Sequence, residues 1–107
     1  MIVLPRYTNT IQQAREATLR DDLVQMRKML DQYASDKGRL PQSLEELVSA
    51  GYLRDIPIDP ITGERDWVIV TGEDTVSAEG GQGVTDVCSA SPDTASDGSS
   101  YNDCSKW

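Results

Sequence analysis

The 107-residue chain has no histidine and no phenylalanine, only two cysteines, and no apolar run long enough to span a bilayer. Without histidine the commonest general base and the commonest metal ligand are both missing. A Ser–His relay is therefore excluded, and no G-x-S-x-G elbow occurs. A Ser–Lys arrangement would have to draw on Lys28, Lys37 or Lys106, each of which reads as solvated. The adjacent carboxylates Asp21-Asp22 and Glu45-Glu46 diverge on helices and make no acid–base pair. The chain reads as a non-enzyme with no catalytic residues. Any metal would have to be held by carboxylate and hydroxyl oxygen, which favours calcium or magnesium over zinc.

Positive charge is scarce in one half only. Residues 1–50 hold seven Lys/Arg and seven Asp/Glu, whereas residues 51–107 hold three and eleven, so the second half carries all of the −8. No basic stripe offsets this acidity, and no nucleic-acid partner is expected. The plainest reading of the acidity is solvation of a loop-rich region.

One domain, 1–107, is expected from the length. Helical period runs over 6–37, with apolar residues at Tyr7, Ile11 and Ala14 and then at Leu19, Leu23, Met26, Leu30 and Tyr33. The last five form one stripe, and Gly38 supplies a C-terminal stop. The helix is long for so small a domain, so its first part should project beyond the core and meet a partner. Ser43-Leu44-Glu45-Glu46 is a capping box opening a short helix over 43–50. Pro57, Pro60 and Gly63 keep 52–66 irregular. Trp67–Val70, Thr75–Ala78 and Val84–Cys88 read as three short strands, a small antiparallel sheet over 67–88 packed on the helix. The expected class is α+β. Trp67 and Tyr33 read as core, and Trp107 as a pin for the C-terminus, in preference to a contact with a neighbouring subunit.

Cys88 and Cys104 bracket a Ser/Asp/Gly-rich loop. A disulfide in an oxidising compartment is the favoured reading, and two free cytosolic thiols the other. Ile2-Val3-Leu4-Pro5 reads as the last turn of a longer apolar segment, with Met1 an added start residue.

Four ordered pieces carry a family resemblance. Leu4-Pro5-Arg6-Tyr7 before a Gln-Ala-Arg-Glu-Ala helix resembles the point where a pilin's membrane helix enters its periplasmic domain. Gly38–Leu47 is similar to the G-x-x-P-x-S-L-x-x-L segment of major type II secretion pseudopilins. Pro57–Gly63 resembles their P-x-D-P-x-T-G loop, with a Trp-initiated strand following. Gly83–Val87, Asp97-Gly98 and Trp107 resemble their tail. The resemblance covers nearly the whole chain.

The resemblance implies a pilin-like fold. It also implies a precursor with a basic leader and an apolar helix, cleaved and N-methylated by a prepilin peptidase, and an inner-membrane anchor before assembly. Subunits would self-assemble through their helices into a periplasmic pseudopilus that drives type II protein secretion, in contact with the secretion machinery. Tyr7, Ile11 and Ala14 are the expected subunit-packing residues. Pseudopilin C-terminal loops commonly bind calcium, which points to the Asp93, Asp97 and Asp103 side chains with the carbonyls near Ala90 and Ser99. It is not an EF-hand, since Cys104 stands where Glu is needed. A Cys88–Cys104 disulfide closing the same loop with no ion is the reading preferred over calcium, and it leans toward a subunit of a type IV pilus and its assembly machinery. A secreted binding module with an acidic face is the reading outside this superfamily.

Overall fold

The computed structural model describes the backbone of residues 4–107 and the side chains from Thr10 onward. Ile2, Val3 and the side chain of Tyr7 lie outside the described residues. The elements are α1 (Leu4–Lys37), α2 (Leu44–Ser49), β1 (Val68–Glu73) and β2 (Gln82–Cys88). Among the described residues no helix is long and apolar enough to cross a membrane.

α1 runs 34 residues without an internal proline or glycine beyond its first turn. At 1.5 Å per residue it is about 51 Å long, most of the molecule's 63 Å long axis. Its stripe of Leu19, Leu23, Met26, Leu30 and Tyr33 is buried throughout. It stops where Gly38 takes φ +70°, its N–H still donating to the Ala34 carbonyl at 3.0 Å.

α2 is capped by Ser43, whose hydroxyl accepts from the Glu46 N–H at 3.2 Å. The return half of the capping box differs from expectation. The Glu46 carboxylate accepts from the Gln42 N–H, from Arg39 at 2.8 Å and from the Tyr33 hydroxyl. A cation and a phenol offer it stronger bonds than the Ser43 amide would. Leu44 and Leu47 face the core, and α2 ends at Ser49 with Ala50 as its cap.

The sheet has two strands, not the three expected. β1 and β2 pair antiparallel from Val68↔Cys88 to Glu73↔Gln82, and the register shifts after Val70 so that Thr85 is an extra residue. Thr75–Ala78 is hairpin loop because the Asp74 carboxylate captures its amides. One oxygen accepts from the Val76 and Ser77 N–H groups, both at 3.0 Å, and the other from the Leu40 N–H. An aspartate that takes two amides this way offers the backbone an alternative to a ladder. The far edge of β2 is covered by residues 40–42: Val84 N–H donates to the Pro41 carbonyl at 2.8 Å, and Gln42 Nε2 to the Gln82 carbonyl. That approach requires glycine at 83, since a Cβ there would sit 2.5 Å from Leu40 Cβ.

The core unites the α1 stripe with Leu44, Leu47, Leu53, Trp67, Val84 and Val87, and with Ala95, Tyr101 and Trp107 from beyond β2. Trp67 Nε1 donates to the Pro57 carbonyl at 2.7 Å. β1 behaves differently from its composition. Val68, Ile69 and Val70 are 47%, 38% and 37% exposed, so its apolar run is an uncovered edge strand.

Candidate functional site

The segment after β2 is tied to the fold in three ways. Cys88 and Cys104 form a disulfide across 16 residues, with Cα atoms 5.5 Å apart, as a bridged pair requires. The loop it closes then lies against the N-terminal part of α1. There Glu16, only 7% exposed, accepts from the Ser96 N–H at 2.8 Å, the Ser96 hydroxyl and the Tyr101 hydroxyl at 2.7 Å. Gln12 Nε2 donates to the Thr94 carbonyl and to Tyr101 Oη. Finally, Arg27 binds Asp86 at 2.7 Å, the Val87 carbonyl and the main-chain oxygen of Trp107. Trp107 is buried, tilted on Tyr101 at 5.3 Å, with the Arg20 guanidinium 3.9 Å over its ring. It pins the C-terminus, as expected.

Burial pushes the Glu16 carboxyl upward, but the three hydrogen bonds from Ser96 and Tyr101 outweigh it and hold the group below its ordinary value. Glu16 is a charged residue on a helix that is otherwise solvated on its polar side, yet it is buried. It and Gln12 continue the apolar stripe backward in steps of three and four, which was the signal for their placement. The expectation that the helix's first part stands clear of the domain fails along this line, from Gln12 to Arg20. Away from it the helix is open: Ile11 is 43% exposed and Ala14 is exposed.

The five candidate calcium ligands are spread along the loop. Ala90 is half-buried and Asp93 exposed, and the Asp93 carbonyl accepts from the Tyr101 N–H. The Asp97 carboxylate accepts from the hydroxyl and N–H of Ser99, and Asp103 does the same with Ser105. Those serine bonds hold both carboxyls below their usual range. The Ser99 carbonyl accepts from the Ala95 N–H. Among the described residues no three acidic or thiol side chains gather where they would hold a metal. As arranged, Asp97 and Asp103 each close a tight turn with the serine two residues on.

Asp59 of the P-x-D-P-x-T-G loop is fully buried. Its carboxylate accepts from the Ile61 N–H at 2.8 Å and from the Ser89 hydroxyl at 2.6 Å, while its carbonyl accepts from Gly63. Ser89 follows Cys88, so Asp59 fastens the proline-rich loop to the disulfide. Burial, then Asp21 and Asp59, push the nearby Asp22 carboxyl upward. No family model, no curated protein and no solved structure matches the chain.

Proposed function

We propose that this chain is the periplasm-facing domain of a pilin-like filament subunit, a pseudopilin that assembles into a type II secretion pseudopilus. The observation that carries the reading is the helix. α1 is about 51 Å long, its core stripe begins only at Leu19, and Ile11 and Ala14 stay uncovered beside the docked loop. An amphipathic helix longer than its own core offers its leading turns to neighbouring copies. The four ordered sequence pieces point the same way.

In this reading the precursor is anchored in the inner membrane and processed by a prepilin peptidase, and subunits then join through their leading helices. The globular parts, each closed by its disulfide, form the outer surface. The disulfide keeps the loop in place on α1 without calcium. The same disulfide supports a second reading, a subunit of a true type IV pilus.

Ile11→Glu in the full precursor tests both. The purified variant should melt like the parent, because Ile11 is half-exposed, while filament cross-linking and export in a secreting host should be abolished. Normal assembly of the variant, or release of the parent by an ordinary signal peptidase, would overturn the proposal.

A further inference from the structure

Two uncovered patches carry opposite charge. On α1, Arg20, Val24 and Lys28 stand four residues apart on one face, spanning about 12 Å, and Val24 is 63% exposed. An open cleft of 180 Å³ beside them is lined by Arg20, Leu23, Val24, Arg27, Lys106 and Trp107. Arg27 is satisfied by Asp86, whereas Lys28 and Lys106 have no ion-pair partner among the described residues. Asp21 is the one acid among Val24's helical neighbours. The patch is thus aliphatic and basic on a molecule of net charge −8.

The hairpin is its converse. Residues 66–86 contain five carboxylates and no Lys or Arg. Asp66, Asp74 and Asp86 are held internally by Thr62, by loop amides and by Arg27. The Glu73 and Glu79 side chains have no ion-pair partner among the described residues. Glu73 ends the strand that carries the exposed Val68, Ile69 and Val70, and Glu79 follows the exposed Val76 in the hairpin loop. Among the described residues β1 pairs only with β2, so its outer edge is open along about 17 Å. No lysine or proline guards it, although exposed edges are usually protected in that way.

The geometry points to a head-to-tail contact in which the acidic β1 hairpin of one copy packs on the Arg20–Val24–Lys28 face of the next. Exposed aliphatic side chains meet at the centre, with Glu73 and Glu79 facing Lys28 and Lys106 at the rim. α1 packs against β2, and β1 lies on the other side of β2, so one molecule presents both patches at once. A contact between two different patches propagates instead of closing on a two-fold axis. This rests on the filament reading and names the surfaces that join its globular parts.

Sedimentation equilibrium on the purified chain tests it at about 0.15 M salt, where the Debye length of ~8 Å mutes the net repulsion but not contact pairs. The parent should self-associate in an open-ended series. Lys28→Glu with Lys106→Glu, and separately Glu73→Lys with Glu79→Lys, should each weaken association about tenfold or more. The first pair makes the molecule more negative and the second less, so a loss in both cannot come from net charge. Mixing the two double variants should restore the series with the two kinds of copy alternating, because the hairpin of each is complementary to the face of the other, and combining all four changes in one chain should restore it as well. A parent that stays monomeric at millimolar concentration, a double variant that associates like the parent, or a quadruple variant that does not recover would overturn the contact. Filaments that assemble normally in a host carrying Lys28→Glu and Lys106→Glu would overturn the contact and leave the pilin-like reading intact.

Discussion

A single stripe on α1 runs through Gln12, Glu16, Leu19, Leu23, Met26, Leu30 and Tyr33, and its two ends are held by different chemistry. From Leu19 onward the side chains are apolar and buried against β2, α2 and Trp67. At Gln12 and Glu16 the same face meets the disulfide loop through hydrogen bonds. Apolar burial is non-directional and insensitive to pH. A carboxylate taking three donors is directional, tied to one protonation state, and dependent on the donors being held in place. The lower end should therefore fail only with the whole fold, while the upper end can be undone alone.

The largest effect is expected at the apolar end. Leu23 is 1% exposed, and Leu23→Ala should cost about 4 kcal/mol by lost transfer and the cavity left behind. That is a large part of the stability of a domain this size. Urea unfolding should show it as a lower midpoint, equally at neutral and at acid pH. Replacing both cysteines by alanine should cost about 3 kcal/mol, but unevenly. Amide exchange should speed up most in the loop and in α1 from Gln12 to Arg20, with Trp107 fluorescence shifting red as its ring meets water. Calcium should give no heat on titration into the parent, and no recovery of the cysteine-free variant's midpoint. A calcium-dependent rise in either would show that the loop carboxylates rearrange around an ion.

The same stripe explains what could be read in advance. The run from Leu19 to Tyr33, its stop at Gly38 and the Ser43 cap were legible because each is a local rule written in adjacent residues. The missing third strand was not. Thr75-Val76-Ser77-Ala78 alternates like a strand, but the Asp74 carboxylate takes the Val76 and Ser77 amides with one oxygen and is held from Leu40 by the other. β1 misled in the other direction. Val68-Ile69-Val70 has core composition, yet β1 is the outer strand and each of the three keeps more than a third of its surface exposed. At the candidate site the disulfide was legible from cysteine spacing. The role of Glu16 was obscured because a charged residue on a helix is read first as solvated, although its step of three from Leu19 placed it on the core face. The alignment of Asp97 and Asp103 with their own serines, two residues on, is likewise local chemistry that competes with an ion for the same oxygens.

Glu16→Gln gives the smallest shift and separates the two ends most cleanly. Glutamine fits the same space. Its oxygen can keep the Ser96 N–H and the Tyr101 hydroxyl, and its amide can donate to the Ser96 hydroxyl, so the change removes charge and leaves the contacts paired. Loss of charge assistance should cost about 1 kcal/mol at neutral pH. The folded carboxyl lies below its ordinary value, so its ionised form contributes stability that is fully present above the unfolded value. That contribution is lost as pH falls through the folded value. The parent should therefore be the more stable at pH 7, and the gap to Glu16→Gln should close in acid. Glu46, lowered chiefly by the Tyr33 hydroxyl, titrates in both proteins and cancels from the difference. Urea midpoints for the pair across the acid range make the measurement. A gap that persists unchanged in acid would mean that shape, rather than the carboxylate's charge, fastens the loop to α1.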